Sequence, residues 1–140
     1  MKEFEFLEHT ADLKFRSYGR TLNEAFANAG KAVFSAIADL SNVDSAVSED
    51  ITLEAENLEM LLHDFLSELI YFFSVEGLLL KKFDVKIVEV DTYQLHATVY
   101  GDELNHKKHA LHKEVKAATY HDMKIEKQNN GWVIEVVCDT

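Results

Sequence analysis

Acidic residues near both ends of the chain offer oxygen ligands for a cation. Asp139 and Thr140 follow an apolar run at residues 132–137, and Asp12 closes the stretch EHTAD at residues 8–12. An apolar run so near the end predicts a strand held in a sheet, with the side-chain carboxylate of Asp139 beside the terminal carboxylate of Thr140. Fixed negative groups repel each other unless a cation or a donor lies between them. Such oxygens suit Ca²⁺ or Mg²⁺ better than zinc, with Asp12 as a third ligand; alternatively, each acid is simply solvated.

Asp39 is a further oxygen donor. We expect it in the final turn of the first helix, where an acid is unfavourable because the helix C-terminus already carries partial negative charge. A cation or a basic group of a partner would compensate for this charge. The alternative is again a solvated acid at the end of an element.

Three histidines, His106, His109 and His112, are spaced three residues apart. This spacing could hold a transition metal on a helix. However, Lys107 and Lys108 lie between them and oppose the binding of a cation. We therefore expect a solvated loop in which the three imidazoles are dispensable.

The remaining reactive side chains give weak signals for catalysis. His9 and His121 neighbour predicted strand ends, where each could be a general base or a hydrogen-bonded structural residue. Cys138 alternates with Ile134 and Val136, which predicts a buried and inert thiol. The sequence contains no Gly-rich phosphate loop, serine nucleophile elbow or zinc pattern, so a stand-alone enzyme is disfavoured.

Composition limits the class of partner and the compartment. The 14 basic and 25 acidic side chains give a net charge of −11, which should repel phosphate backbones and disfavours direct nucleic-acid binding. The single cysteine suits a reducing compartment. Neither a signal peptide nor an apolar run of membrane-spanning length is found, so we expect a cytoplasmic protein. The length of 140 residues fits one domain, residues 1–140.

Hydrophobic periodicity predicts two long helices and about seven strands. The first helix should open at the capping box of Thr21 and Glu24 and end near residues 39–41. The second should run from its cap Asn57 to about residue 76, with Gly77 as a left-handed stop. The predicted strands are 4–8, one around Leu13 and Phe15, one within 46–56, a hairpin of 83–90 and 95–100, then 114–120, 123–127 and 132–138.

These elements predict an α+β fold, with the two helices packed on mostly antiparallel sheet in a layered domain. Residues 103–112 read as a polar loop, and Asn129, Asn130 and Gly131 read as a hairpin turn. Strand pairs surround a helix in each half, a layout that suggests an old internal duplication.

Lys116 lies in the predicted strand 114–120, opposite the face that carries Val115, Ala117 and Thr119. A lone lysine on an exposed strand is usually just solvated. On a strongly acidic surface it could also contact an anionic ligand or an acid of a partner.

At these residues the chain resembles the archease family. The matching pieces are EHTAD at residues 8–12, residues 34–39, EVKAATYH at residues 114–121 and VCDT at residues 137–140. The resemblance covers essentially the whole chain. The family often ends in Ile where this chain has Thr140, but the oxygens of Thr140 remain available.

The resemblance implies a small accessory protein, not an enzyme. Archeases assist the RtcB-type RNA ligase of tRNA splicing and RNA repair, promoting its GTP-dependent guanylylation and its multiple turnover. The resemblance assigns a divalent cation to Asp12, Asp139 and Thr140, with Asp39 as a neighbour. The cation is Ca²⁺, with Mg²⁺ or Mn²⁺ as alternatives. The resemblance also assigns activation of the ligase to Lys116. Two other classes stay open: a stand-alone metal-dependent enzyme acting on a small molecule, and a chaperone-like binder of RNA-processing proteins.

Overall fold

Two antiparallel sheets and two helices form the fold. The structure, a computed structural model, describes residues 2–9 and 12–140, so Thr10 and Ala11 of the EHTAD stretch lie outside the described residues. The helices are α1 (Leu22–Ile37) and α2 (Leu58–Ser74), with a short 3₁₀ turn at Leu40–Asn42. The strands are β1 (Phe4–Leu7), β2 (Leu13–Gly19), β3 (Val47–Ala55), β4 (Leu78–Glu89), β5 (Tyr93–Glu103), β6 (Ala117–Ala118), β7 (Lys124–Gln128) and β8 (Gly131–Asp139).

The larger sheet has the order β1-β2-β8-β6, with β7 also paired to β8, and the smaller has the order β3-β5-β4. All of these pairings are antiparallel, which confirms the α+β prediction. The β4–β5 hairpin is longer than the sequence predicted. Each sheet combines strands from both halves of the chain, so the duplication stays a prediction.

The helix starts follow the predicted capping chemistry. The Thr21 hydroxyl accepts the N–H of Glu24 at 3.1 Å at the start of α1, and the Asn57 side chain accepts the N–H of Met60 at 2.9 Å at the start of α2. After α2, Gly77 has a φ of +68°, which confirms the left-handed stop. Within the part of the chain that the structure describes, neither helix is long and apolar enough to cross a membrane.

Aromatic side chains from both helices and the larger sheet meet in one buried cluster. Phe15 of β2, Phe26 and Phe34 of α1 and Phe65 of α2 are all fully buried. The rings of Phe26 and Phe65 lie 6.1 Å apart, which joins the two helices. Burial of each ring contributes about 1.5–3 kcal/mol, so this cluster holds the larger sheet in a fixed position.

The end of α1 differs from the prediction. The helix stops at Ile37, and Ala38 is extended because it forms a β-bridge with Leu111. The N–H of Asp39 then donates to the carbonyl of Ala110 at 3.1 Å. Asp39 therefore precedes the 3₁₀ turn, and the placement of this acid in the last turn of the helix was wrong.

The predicted strand 114–120 is also wrong in extent. Only Ala117 and Ala118 form a strand. On one side β8 ends at Asp139, opposite Ala117, and on the other side β7 pairs with the same edge of β8 over residues 131–135. Val115 and Ala118 are the buried residues, so the predicted alternation of faces fails as well. Lys116 is exposed, as predicted, but it lies just before the strand.

The polar loop at 103–112 contains one buried side chain. The ring of His109 is fully shielded from solvent, and its Nδ1 accepts the N–H of Asn105 at 3.0 Å. The prediction that all three loop histidines are solvated was therefore wrong for His109. The other two, His106 and His112, are exposed.

Candidate metal and partner site

Asp12 and Asp139 lie at the adjoining ends of two paired strands. The last pair of β2 and β8 is Leu13 with Cys138, and each acid is the next residue outward. Leu13 and Cys138 are buried, and continuing the register by one residue would bring Asp12 opposite Asp139 on the outer face of the sheet. Facing residues of an antiparallel pair have Cβ atoms about 4.5–5.5 Å apart. Two carboxylates at such a position can share one cation.

Lys116 reaches the same end of β8 from the other side. Its main-chain N–H donates to the carbonyl oxygen of Asp139 at 2.8 Å, and the next residue, Ala117, pairs with Asp139. Thr140 follows directly and is half-buried. The structure therefore gathers Asp12, Lys116, Asp139 and Thr140 at one end of the sheet.

The two carboxylates lack a basic partner. Among residues 2–9 and 12–140, no lysine or arginine nitrogen lies within 4.0 Å of Asp12 or Asp139. The one nearby group is His9, whose Nδ1 is 4.0 Å from the Asp12 carboxylate. On the same outer face, Arg16 is paired with Glu135, and its Nε donates a hydrogen bond to the Glu135 carboxylate at 2.9 Å. The donor set of adjacent and unneutralised oxygens fits a hard divalent cation.

Asp39 has other contacts. Its Oδ1 accepts the N–H of Ser41 at 3.0 Å and the Ser41 hydroxyl at 2.7 Å. These hydrogen bonds, the hydroxyl first, hold the pKa of Asp39 below its ordinary value. One oxygen thus stabilises the 3₁₀ turn.

Two grooves flank the site. A groove of about 870 Å³ opens beside Asp12 and is lined by Phe6, His9 and Lys14 among others. A second, of about 700 Å³, ends at Lys116 and is lined mainly by apolar residues such as Leu111 and Val75. Leu111 and Val75 are 41% and 65% exposed. An apolar surface of this kind beside charged groups is typical of contact with another macromolecule.

The thiol near the site is unsuited to nucleophilic catalysis. Cys138 is fully buried, as predicted. Burial raises the pKa of this thiol to about 12, with a further contribution from the charge of Asp139. The reactive thiolate is therefore scarce at neutral pH.

Sequence reasoning missed one cluster of side chains. His9, His121 and Asp122 each offer a ligand atom, and these atoms all lie within 4.8 Å of one another. His9 follows β1, whereas the other two lie in the turn between β6 and β7, more than a hundred residues later. No local spacing could reveal this cluster, although the three residues lie in or beside the motifs of the family resemblance.

The sequence matches the profile of the Archease protein family (MTH1598/TM1083) over residues 4–140. A protein archease of Pyrococcus furiosus is 44% identical over 141 residues, covering 99% of each chain. A protein archease of Methanosarcina acetivorans is 40% identical over 140 residues, covering 99% of this chain and 96% of its own.

Two solved structures resemble the fold. The solution structure of Methanobacterium thermoautotrophicum protein 1598 has a TM-score of 0.88 and 37% identity, with full coverage of both chains. A crystal structure from Thermotoga maritima, described as an archease and possible chaperone, has a TM-score of 0.64 over 96% of this chain and 94% of its own. At 21% identity the latter supports the fold alone. The family profile and the relatives of 40% identity or more together show that this chain belongs to the archease family.

Proposed function

We propose that this protein is an activator of an RtcB-type RNA ligase in tRNA splicing and RNA repair. It promotes GTP-dependent guanylylation of the ligase and so permits multiple turnover, without catalysing a reaction alone. A divalent cation, Ca²⁺ in the first instance, is held by Asp12, Asp139 and an oxygen of Thr140. Asp39 is a neighbour of this site, and its oxygen that is hydrogen-bonded to Ser41 is not a ligand of the cation.

One observation carries the proposal. The acids of two distant sequence motifs each follow the last residue pair of β2 and β8, and the main-chain N–H of Lys116 is hydrogen-bonded to the main-chain carbonyl of Asp139. These are the residues to which the family resemblance assigns a cation and the activating lysine. A cation between Asp12 and Asp139 would offset their mutual repulsion and fix the end of β8 beside Lys116.

Charge and shape support a protein partner. An RNA ligase must bind a polyanion, so the rim of its active site should be basic and complementary to a protein with a charge of −11. The apolar groove that ends at Lys116 supplies contact area. The exposed ammonium of Lys116 would then meet an anion in the complex, either a carboxylate of the ligase or a nucleotide phosphate.

The test is formation of ligase–GMP and joining of RNA ends by the cognate ligase, with this protein absent or substoichiometric. We expect faster guanylylation and many turnovers only when the protein is present. The stimulation should weaken as salt rises, because the screening length shortens to about 8 Å near physiological ionic strength. Equal rates with and without the protein would refute the proposal, and turnover of a small molecule without ligase would favour the enzyme alternative.

A chaperone-like binder is the second candidate. The exposed apolar groove that ends at Lys116 favours it, because such a surface could contact more than one protein. Affinity purification distinguishes the two, since an activator should retain one dominant ligase whereas a chaperone should retain several unrelated proteins. For either role we infer a cytoplasmic protein that acts as one domain over residues 1–140. The lone buried Cys138 supports the reducing compartment, not the domain count.

A further inference from the structure

We propose that His9, His121 and Asp122 form a second metal site, selective for a borderline transition-metal cation such as Zn²⁺. It lies beside the oxygen site of Asp12, Asp139 and Thr140 and shares no ligand with it. It does not depend on the proposed activation of a ligase. Two imidazole nitrogens and one carboxylate oxygen are a donor set that Zn²⁺ accepts and that Ca²⁺ does not favour.

The distances suit a metal of this kind. Zinc binds imidazole nitrogen at about 2.0–2.1 Å and carboxylate oxygen at about 2.0–2.2 Å, so neighbouring ligand atoms of a tetrahedral site are roughly 3.2–3.5 Å apart. The Nε2 of His121 and the Oδ2 of Asp122 are already 3.3 Å apart. All three ligand atoms lie within 4.8 Å of one another, so His9 is the ligand that would have to move closer to complete the set.

The turn that carries His121 and Asp122 is held firmly. The N–H of Met123 donates to the carbonyl of Tyr120 at 3.2 Å and closes the turn. The ring of Tyr120 stacks on His63 of α2, with centroids 4.4 Å apart and planes 11° from parallel. The N–H of His121 also donates to the Thr119 hydroxyl at 3.3 Å. A site on an anchored turn needs little reorganisation to bind a ligand.

The backbone of Asp122 is in the left-handed conformation, with a φ of +53°. Among the described residues, Asp122 is the one non-glycine position with a positive φ. Aspartate and asparagine tolerate this conformation better than most residues that carry a side chain, so an Asp122→Asn variant should keep the turn.

His9 supplies the third donor from the other end of the chain. Its Nδ1 is shielded from solvent and has no hydrogen-bond partner within the part of the chain that the structure describes. The ring of His9 faces that of His121 edge-on, with centroids 6.3 Å apart. A buried imidazole nitrogen without a partner is unfavourable, and coordination or a hydrogen bond to Asp12, 4.0 Å away, would relieve it. A carboxylate behind a metal-bound histidine is a common supporting arrangement.

Three protein ligands leave a fourth tetrahedral position for water or for a group of a partner. His121 and Asp122 are 67% and 54% exposed, so this position faces solvent. The site can therefore exchange its cation with the medium and is open to a ligand from outside the chain.

The test is calorimetric titration of the chelator-treated full chain with Zn²⁺, followed by the visible absorption of the Co²⁺-substituted protein. We expect one Zn²⁺ per chain and an intense Co²⁺ spectrum of tetrahedral type. His121→Ala and Asp122→Asn should each weaken Zn²⁺ binding at least tenfold. Both lie on an exposed turn, and Asn tolerates the left-handed backbone, so the variants should fold, as circular dichroism would verify.

Two matched controls separate this site from others. His106→Ala removes an exposed histidine outside the cluster and should leave Zn²⁺ binding unchanged. Asp139→Asn removes a ligand of the proposed oxygen site and should weaken Ca²⁺ binding far more than Zn²⁺ binding. The proposal is overturned if wild type binds no Zn²⁺, if His121→Ala binds it as tightly as wild type, or if Asp139→Asn alone abolishes Zn²⁺ binding.

Discussion

The main-chain N–H of Lys116 donates a 2.8 Å hydrogen bond to the carbonyl oxygen of Asp139. The bond ties two separate motifs together at the end of β8, yet it uses no side-chain atom. Lys116 is exposed, and among residues 2–9 and 12–140 no acidic oxygen lies within 4.0 Å of its ammonium. A change of this side chain should therefore leave the sheet intact.

Lys116→Ala should separate folding from function. Exposed side chains away from special features alter stability by less than about 0.5 kcal/mol, so the free energy of unfolding should stay close to that of wild type in urea titrations. Stimulation of ligase–GMP formation should fall strongly, because the Lys116 ammonium that meets an anion in the complex is lost. Lys127→Ala is the matched control, since Lys127 is an exposed lysine on a strand that pairs with the other end of β8. Equal stimulation by both variants would contradict the role assigned to Lys116.

Removal of a carboxylate from the oxygen site should abolish tight Ca²⁺ binding. We expect Asp12→Asn and Asp139→Asn each to lose it in calorimetric titration, because a hard cation needs charged oxygens. Wild type should also gain stability with Ca²⁺, by about 2.7 kcal/mol at a hundredfold excess over Kd, and should lose this gain on chelation. Asp84→Asn is the control, since Asp84 is an exposed acid of the smaller sheet, and it should bind Ca²⁺ as tightly as wild type.

Asp39→Ala tests the outlying acid. Because its Oδ1 already accepts two hydrogen bonds from Ser41, this variant should weaken Ca²⁺ binding less than Asp12→Asn does. A loss as large as that of Asp12→Asn would show that Asp39 is a direct ligand.

The three loop histidines should not respond alike. His109→Ala should lower the free energy of unfolding by about 1–3 kcal/mol, since it leaves the Asn105 N–H without its acceptor and opens a cavity. His106→Ala and His112→Ala, at exposed positions, should change it little. Chemical denaturation of the three variants measures this difference, and an unaffected His109→Ala would show that the buried ring contributes nothing.

Cys138 should make the protein less stable in alkali. The folded thiol has a pKa of about 12, against an ordinary value of 9.0, so above pH 9 the unfolded chain loses this proton before the folded chain does. The contribution to stability is complete below pH 9 and is lost as pH rises toward 12, at up to about 1.4 kcal/mol per pH unit. Comparison with Cys138→Ala isolates the thiol from the lysines and tyrosines. Parallel curves of stability against pH for the two proteins would contradict the prediction.

Local chemistry made the helices and most strands predictable from the sequence. Thr21 and Asn57 are caps whose side chains satisfy N–H groups within three residues, and Gly77 and Gly131 supply turn conformations that other residues avoid. These signals act over a few residues and can therefore be recognised from the sequence.

The extents of elements were less predictable where distant segments compete. The strand 114–120 is only two residues long because β8 ends opposite Ala117 and β7 pairs with the same edge of β8 over residues 131–135. Helix α1 ended early because the backbone at Ala38 pairs with Leu111 instead. In both cases the pairing with another segment of the chain decided the outcome, and no local pattern records it.

By itself the sequence determined the fold class, the caps, the burial of Cys138 and the motifs that resemble the archease family. It also singled out Asp12, Asp139 and Lys116 as residues of interest. Only the tertiary structure decided that these residues share one end of the sheet, that Asp39 caps a 3₁₀ turn, and that His9 meets His121 and Asp122. The reason is physical: a sequence encodes local hydrogen bonding and periodicity directly, whereas contact between distant residues depends on the register and order of strands, which the packing of the whole chain sets.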